Sequence, residues 1–292
     1  MTRSASIGVG LLLLVLAECG LAEVAVVDDT GRRVELEQPA RRIVSLAPHV
    51  TEMLYAAGAG DRVVAAVSYS DYPEAAKELP RVGAYNRFDI EQVLAHEPDL
   101  VVGWQSGNPE VSLQKLRQLG PSLYITEPRS MEAIATNLER LGRLAGTAGP
   151  AADAAAEFRR QHRALRDRYA DRPSLDVFYE IWNDPLMTIN GEHLISDIIR
   201  GCGGRNVFGD LPAIAPRISV EAVLARDPEV LIASGMDDER PEWLDEWKQW
   251  PELRAVRRDH LFFIPPNTLQ RHTPRVLEGM ARMCKVLEEA RS

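Results

Sequence analysis

Aromatic and polar side chains stand next to the apolar segments of the first half of the chain, where they can form a ligand-binding wall. The four are His49, Tyr69, Tyr85 and Trp104. In an open parallel sheet, ligands bind at the carboxyl ends of strands. Aromatic rings bury a large apolar area with few rotatable bonds. Together these residues predict one wall of a cleft for a large, flat and partly apolar ligand. Each aromatic taken alone is equally compatible with a place in the core.

The second half of the chain offers residues of the same kinds at related positions. They are Trp182, Met187, Asn267 and Arg271. We expect them to form the opposite wall of the cleft. For His49 two roles stay open, contact with the ligand or a cap for the helix predicted from Thr51.

The motifs of common catalytic sites are absent from the sequence. It contains no G-x-S-x-G elbow, since the serine at residues 103–107 stands one place late. It also contains no phosphate loop, no G-x-G-x-x-G run and no H-E-x-x-H helix. His193 and Asp197 stand four residues apart and would share one helix face. Such a pair is more often solvated than bound to a metal, so we expect no resident metal.

Composition limits the class of protein. Of 292 residues, 45% are hydrophobic and 26% are charged, which is too apolar for a disordered chain. The formal net charge is −9, and lysine and arginine are scattered along the sequence. A nucleic-acid partner, which needs clustered positive charge, is therefore not expected.

The N-terminus has the pattern of a secretory signal peptide. Arg3 precedes an apolar run at residues 9–17, and small residues lead up to Ala22, after which we expect cleavage. The apolar run is too short to span a bilayer. A lipid anchor on Cys19 is disfavoured because Glu18 stands where a lipoprotein site needs a small residue. A buried N-terminal helix is the remaining alternative to export.

Export decides which cysteines remain in the mature protein and whether they can form a disulfide. Once Cys19 is removed, Cys202 and Cys284 form an even pair in an oxidising compartment. We predict that they form a disulfide; the alternative is two separately buried thiols.

Strand-like and helix-like segments alternate through the chain, which predicts βα units and a parallel sheet. A long helical segment with one apolar stripe interrupts this alternation near the middle. We therefore predict an α/β fold with two similar parallel-sheet lobes, joined by one long helix, and a ligand cleft between the lobes. The expected boundaries are 1–22 for the signal peptide, 41–148 for the first lobe, 149–172 for the helix and 173–292 for the second lobe.

An internal repeat supports the two-lobe prediction. Residues 88–102 match residues 218–232 in the spacing of a glutamate, aliphatic residues, an alanine and a proline. The repeat places Glu91 and Glu221 at equivalent positions, 130 residues apart. Each is expected at the start of a helix, where the helix dipole favours a carboxylate.

Four segments of the sequence also resemble a known protein family. They are residues 44–48 with 51–52, the Ser-Tyr-Ser-Asp-Tyr-Pro run at 68–73, residues 98–104 with 107–108, and residues 271–275. The chain resembles the periplasmic binding proteins of ABC importers, and within them the cobalamin-binding branch, over nearly all of its length from about residue 42. The same family holds iron–siderophore and haem receptors.

The resemblance implies a periplasmic, monomeric protein of two lobes and a rigid helix. It implies that a corrinoid is held edge-on in the cleft and delivered to an ABC permease dimer in the inner membrane. Cobalamin would be the transported ligand rather than a cofactor, and the protein would not be an enzyme. An iron–siderophore or haem receptor, or an α/β enzyme with an unrecognised site, are the alternatives.

Several site residues match the family pattern. Tyr69, Trp104 and Arg271 match ligand contacts, and Tyr85 stands where a relative has tryptophan. The resemblance also assigns contact with the transporter to two carboxylates. These are Glu91 and Glu221.

Other positions depart from the family pattern, mostly in the second lobe. Asn267 replaces an aspartate, Met187 falls near a phenylalanine, and Ala215 falls near a tryptophan. Trp182 would then supply an aromatic wall from a different place. With a corrinoid in the cleft, His49 is also a candidate cobalt ligand, because imidazole is an axial ligand for such metals.

Overall fold

The computed structural model describes residues 24–235 and 239–292. The predicted signal segment, residues 1–22, and Cys19 lie outside the described residues. The first part of the chain forms eight strands: β1 (Val24–Val27), β2 (Arg33–Leu36), β3 (Ile43–Ser45), β4 (Val63–Ala66), β5 (Gly83–Ala84), β6 (Arg87–Phe88), β7 (Leu100–Trp104) and β8 (Ser122–Thr126). Its helices are α1 (Pro48–Ala56), α2 (Ile90–Ala95), α3 (Glu110–Gln118) and α4 (Met131–Leu144).

The long helix α5 (Ala148–Tyr169) leads into the second part of the chain. The strands there are β9 (Leu175–Glu180), β10 (Trp182–Asn183), β11 (Leu186–Met187), β12 (Gly204–Asn206), β13 (Val230–Ala233) and β14 (Leu261–Phe263). The helices are α6 (Leu194–Gly201), α7 (Val220–Arg226), α8 (Arg254–Arg257), α9 (Pro266–Leu269) and α10 (Val276–Glu289). Short 3₁₀ segments lie at Gly60–Arg62, Glu74–Glu78 and Glu242–Gln249.

The two lobes have the same sheet topology. The first sheet has the parallel order β4-β3-β7-β8, and the second has the parallel order β12-β9-β13-β14. Leu100 of β7 pairs with its neighbour β3 in a parallel register, and Val230 of β13 pairs with its neighbour β9 in the same way. These residues are the equivalent positions of the sequence repeat, so the predicted architecture of two similar parallel-sheet lobes is confirmed.

Local sequence explains the repeated helix–strand unit. Asp89 caps α2 by accepting hydrogen bonds from the backbone N–H groups of Glu91 and Gln92, and Ser219 caps α7 in the same way at Ala222. The strands that follow are apolar and buried, as expected for parallel strands covered on both faces. Cap and buried strand recur in both lobes because both signals are local.

Helix α5 joins the lobes by packing closely against α4. A Cβ on Gly142 of α4 would lie 2.1 Å from the Cβ of Ala151 on α5, so only glycine allows this approach. Ala151, Ala155 and Phe158 are buried in a hydrophobic core that also holds residues of both sheets. This shared core makes α5 part of both lobes. Within the described parts of the chain, none of the helices has the length and apolar character that a membrane span needs.

A β-hairpin precedes the position at which we expected the first lobe to begin. Strands β1 and β2 pair antiparallel, and Val26, Val34 and Leu36 are buried. At the turn, Asp29 accepts hydrogen bonds from the Glu127 backbone N–H at 2.7 Å and from Arg140 of α4 at 2.8 Å. The hairpin therefore packs on the first lobe, ahead of residue 41.

A disulfide joins Cys202 and Cys284, as predicted. Cys202 ends α6, and Cys284 lies in the buried face of α10. The bond ties the last long helix of the chain to the second lobe across 82 positions.

Candidate functional site

Three of the predicted first-lobe residues meet at the carboxyl ends of the strands. Trp104 is the last residue of β7, and His49 is the second residue of α1, close after β3. The His49 and Trp104 rings stand perpendicular with centroids 5.1 Å apart, and the Tyr85 ring lies 5.7 Å from Trp104. The rings form a continuous aromatic surface, which we call the Trp104 wall (His49, Tyr85 and Trp104).

The backbone around Trp104 holds its indole in one position. Asn108 accepts a hydrogen bond from the Trp104 backbone N–H at 2.7 Å, and its amide donates to the carbonyls of Leu46 and Tyr85. A Cβ on Gly107 would lie 1.8 Å from the Trp104 ring, so the indole lies directly on this glycine. Asn108 thus connects the ends of two strands and the loop that carries Tyr85. Asn108 lies in one of the segments that carry the family resemblance, but its sequence context alone predicted no role for it.

The indole N–H of Trp104 is buried and has no acceptor among the described residues. Leaving a buried donor without an acceptor costs about 1–3 kcal/mol. An acceptor supplied by a ligand would recover this energy.

Tyr69 lies in the loop after β4 and is 75% exposed. Its backbone has φ +65°, in the left-handed region that residues with a Cβ rarely adopt. Such strain costs about 1–3 kcal/mol and gathers at functional sites. The loop therefore presents a large aromatic ring to solvent at the carboxyl edge of the first sheet.

Ion pairs from the second lobe reach the first lobe beside this edge. Arg271 contacts Glu52 at 2.9 Å and Asp71 at 2.6 Å, and Arg275 contacts Glu52 at 2.7 Å. The Arg275 guanidinium also lies 4.0 Å from the centre of the Tyr72 ring. We name this set the interlobe ion cluster (Glu52, Asp71, Arg271 and Arg275).

Of this cluster, only Arg271 was predicted as a site residue from the sequence. Glu52, Asp71 and Arg275 stood inside the motifs that carry the family resemblance, which was the only signal for them. Partial burial acts to raise the pKa of Asp71, but its hydrogen bonds and charge contact with Arg271 outweigh this and lower it. The Asp71 carboxylate is therefore charged at neutral pH.

Asn267 lies in α9, next to the ion cluster. It lines a pocket of about 440 Å³ together with Asp71, Tyr72 and Arg271. The pocket has walls from both lobes, so the predicted residues Asn267 and Arg271 do face one cavity between the lobes.

Three histidines meet between the lobes, two of them not predicted at the site. His272 follows Arg271, and its ring centroid lies 5.6 Å from His49 and 5.9 Å from His193. Burial lowers the pKa of His272 to about 4, and burial with the neighbouring His272 lowers that of His193 to about 3. Burial also holds the pKa of His49 well below its usual value. All three rings are uncharged at neutral pH.

The structure corrects two sequence-based interpretations of these histidines. His49 lies inside α1 rather than capping it; the cap position is Ala47. His193 is mostly buried and caps α6, where its Nδ1 accepts from the Ile195 N–H, while Asp197 accepts from the Met131 N–H at 3.0 Å. The pair is thus neither a solvated helix face nor a shared metal site. No group of three or more metal-binding side chains suits a metal in residues 24–235 and 239–292.

Trp182 and Met187 stand apart from the Trp104 wall. They are cross-strand partners in the hairpin of β10 and β11, which follows β9, and the Trp182 indole donates to the Asp184 carbonyl. Over the described residues, no hydrogen bond or ring contact joins them to Trp104. They lie beyond the carboxyl end of a second-lobe strand, as expected.

Glu91 and Glu221 occupy the same place in the two lobes. Each is the exposed second residue of a helix, α2 or α7. Hydrogen bonding from the helix backbone, and then from the Ser219 side chain, lowers the pKa of Glu221. Each lobe therefore presents one carboxylate at an equivalent helix start.

Comparisons with known proteins agree with this architecture. The sequence matches the family described as periplasmic binding protein over residues 43–268. It is 38% identical over 253 residues to a vitamin B12-binding protein of Vibrio campbellii, which covers 87% of this chain and 91% of that protein.

Solved structures give the same result. The periplasmic vitamin B12-binding protein of Vibrio cholerae superposes with a TM-score of 0.80 at 37% identity, covering 87% of this chain and 99% of that one. A periplasmic haem-binding protein from Roseiflexus sp. RS-1 superposes with a TM-score of 0.75 at 25% identity, covering 87% and 100%. By its sequence and its two-lobe fold, the chain belongs to the periplasmic binding protein family.

Proposed function

We propose that this protein captures cobalamin or a related corrinoid in the periplasm and delivers it to an ABC importer. The Trp104 wall carries the proposal, since it offers a continuous surface of aromatic rings and a buried indole N–H that has no acceptor among the described residues. A corrin ring system is large and flat, and its amide side chains carry carbonyl acceptors. The names of the Vibrio relatives support the same ligand class.

The second lobe would hold the other side of the ligand. Asn267 and Arg271 face the pocket between the lobes and offer N–H donors to amide carbonyls. Tyr69 and the hairpin with Trp182 and Met187 would add apolar contacts at the edges of the cleft. In this arrangement the protein binds and releases its ligand unchanged, without acting as an enzyme.

A haem receptor is the second candidate. The Roseiflexus neighbour is a haem-binding protein, and the uncharged rings of His49 and His272 are suitable axial ligands for iron as well as for cobalt. Absorbance titration of the protein with cobalamin, cobinamide, haem and a ferric siderophore distinguishes these ligands. We expect saturable one-to-one binding of a corrinoid. Binding of haem alone, or of no corrinoid, would overturn the proposal.

Cobalt coordination by His49 is a separate part of the proposal. If the imidazole binds cobalt, cobinamide should show a shifted spectrum in the native protein and not in His49→Ala. If the ring only contacts the corrin face, the spectra will agree and only the affinity will change.

Export to the periplasm depends on the N-terminal segment. We expect the mature protein to begin at Glu23, without a lipid on Cys19. Mass spectrometry of the exported protein measures its N-terminal residue and shows whether a lipid is attached. We also expect a monomer, which light scattering of the purified protein measures.

A further inference from the structure

We infer that Asp71 makes the cleft selective for ligands with neutral amide side groups, by neutralising Arg271 and repelling carboxylates. The inference rests on the proposed corrinoid function and concerns which corrinoids, and which other flat ligands, the site excludes. It follows from how the charges of the interlobe ion cluster are paired.

Arg271 of the second lobe lines the pocket between the lobes. Its guanidinium reaches Glu52 of the first lobe, 219 positions earlier in the sequence. An arginine in a partly enclosed pocket ordinarily attracts carboxylates, with which it forms strong charge-assisted hydrogen bonds. Haem has two propionates and many ferric siderophores are anionic, so an arginine of this kind would favour those ligands.

The positive charge of Arg271 is already paired with carboxylates of the first lobe. Arg275 bonds to both carboxylate oxygens of Glu52, at 2.9 and 2.7 Å, so it pairs with this buried charge. Arg271 contacts the same Glu52 at 2.9 Å and adds Asp71 at 2.6 Å. Two arginines thus meet two carboxylates, and the cluster has no net charge.

The two carboxylates of the cluster differ in their exposure to solvent. The Glu52 side chain is 2% exposed, whereas that of Asp71 is half exposed at the edge of the pocket. A carboxylate that approaches Arg271 therefore meets the negative charge of Asp71, while an amide carbonyl does not. A guanidinium has five N–H donors, more than these ion pairs use, so Arg271 can still donate to a neutral acceptor.

The other side chains that line the pocket are the same in the native protein and in a variant of Asp71. Asn267 is neutral, and so are Tyr72 and Thr268. Arg282 adds a positive charge at the pocket, weakened by solvent and salt, and this charge cancels when the native protein is compared with a variant of Asp71. Asp71 is therefore the group that decides how a carboxylate is received beside Arg271.

The test compares two ligands that differ by one charge: cobalamin and a cobalamin monocarboxylic acid in which one side-chain amide is hydrolysed. Calorimetry gives the ratio of their dissociation constants for each variant. We expect the native protein to bind the acid at least tenfold more weakly, and Asp71→Asn to reduce that ratio by about tenfold. Asp71→Glu should keep the native preference.

A matched control separates local from overall charge. Asp167 on α5 is an exposed carboxylate paired with Arg166, eight positions before β9, and Asp167→Asn changes the net charge by the same amount. It should leave the ratio unchanged. Thermal unfolding of each variant tests whether the cluster only holds the lobes together.

Each outcome decides the inference. An unchanged ratio in Asp71→Asn, with or without a lower unfolding temperature, overturns the selectivity role and leaves Asp71 a structural residue. If the native protein binds both corrinoids equally well, the inference fails while the proposed function stands. If it binds neither, the proposed function itself fails and the inference with it.

Discussion

The indole of Trp104 has contacts that a core tryptophan does not need. Asn108 holds its backbone, Gly107 leaves space for its ring, and its N–H is buried without an acceptor in the described chain. A purely structural tryptophan would gain stability from an acceptor there. The arrangement instead fits a ring held ready for a ligand.

Replacing this ring tests the wall directly. Trp104→Ala should weaken cobalamin binding at least tenfold, about 1.4 kcal/mol, because apolar contact and the N–H donor are both lost. Trp104→Phe keeps a flat ring and should retain part of the affinity. Calorimetry measures both. Native affinity in Trp104→Ala would remove this residue from the site.

Glu180 is a second unusual residue, at the end of β9. Its carboxyl is buried and accepts a hydrogen bond from the Trp247 indole at 2.7 Å. Burial raises the pKa of Glu180 to about 8, although the Trp247 bond acts in the opposite direction. The folded protein thus holds a proton here that the unfolded chain, with a pKa near 4.3, releases.

This proton makes stability depend on pH. Because Glu180 is protonated in the folded state and ionised in the unfolded state between about pH 4.3 and pH 8, its contribution to the free energy of unfolding should fall as pH rises through this range. Between pH 6.5 and 8 the contribution of Glu180 should fall by about 2 kcal/mol, at about 1.4 kcal/mol per pH unit. Glu180→Gln should remove it and be more stable than the native protein at pH 8.

Urea unfolding at pH 6.5 and pH 8 measures the effect. The buried His49, His193 and His272 take up protons only in the unfolded chain at the lower end of this window, which opposes the effect. Their contribution is the same in the native protein and in Glu180→Gln, so the quantity to compare is the difference between these two proteins at each pH. Glu246 is an exposed neighbour whose charge is the smallest of the three influences on the pKa of Glu180, so Glu246→Gln should keep most of the native pH dependence. A native slope in Glu180→Gln would show that another group binds the proton.

At the scale of elements, the disulfide decides how the chain end is held. Cys202 ends α6 and Cys284 lies on α10, whose buried face packs into the core shared by the two lobes. In addition, Arg291 donates hydrogen bonds to the carbonyls of Cys202 and Gly203. The covalent bond and these polar contacts act at the same junction.

Loss of the disulfide should lower stability without changing the fold. Closing a loop of 82 positions stabilises a protein by roughly 4 kcal/mol through the entropy of the unfolded chain. The double variant Cys202→Ser, Cys284→Ser should lose about this much in urea unfolding. Reductant should destabilise the native protein and leave the double variant unaffected. Equal unfolding midpoints for native and double variant would contradict the prediction.

At the scale of the molecule, the two lobes present equivalent surfaces. The two sheets have the same strand order, and a capped helix precedes β7 in one lobe and β13 in the other. Glu91 and Glu221 therefore lie at corresponding sites. In a parallel sheet, the start of a helix that leads into a strand lies toward the carboxyl ends of the strands. A partner with twofold symmetry, such as a permease dimer, would receive one glutamate in each half.

We therefore expect Glu91→Ala with Glu221→Ala to abolish most cobalamin transport into vesicles that carry the permease, and to leave cobalamin affinity intact. Charges at the edge of an interface act mainly on docking and on its salt dependence. The control is Glu110→Ala with Glu278→Ala, which removes two exposed first-turn carboxylates outside the repeat. Normal transport by the first double variant would reduce Glu91 and Glu221 to helix-stabilising residues.

Local patterns in the sequence were sufficient to predict the two-lobe architecture. Buried parallel strands have continuous apolar runs, as in β7 and β13, and helix starts have capping residues such as Asp89 and Ser219. The repeat then related one lobe to the other, and one long helical segment with an apolar stripe marked the connection between them. The β1–β2 hairpin was missed because four-residue strands give little periodic signal before they pack on α4 and β8.

The site was predictable only in part, for a physical reason. His49, Tyr85 and Trp104 could be placed at strand ends, because the carboxyl edge of a parallel sheet follows from local order. The contacts between Glu52 and Arg271, and between His49 and His272, join residues more than 200 positions apart. Such pairs depend on how the shared core sets one lobe against the other. The sequence alone determined the two lobes and the sheet edge at which the candidate site lies, and only the tertiary structure decided which charges and rings meet across the cleft.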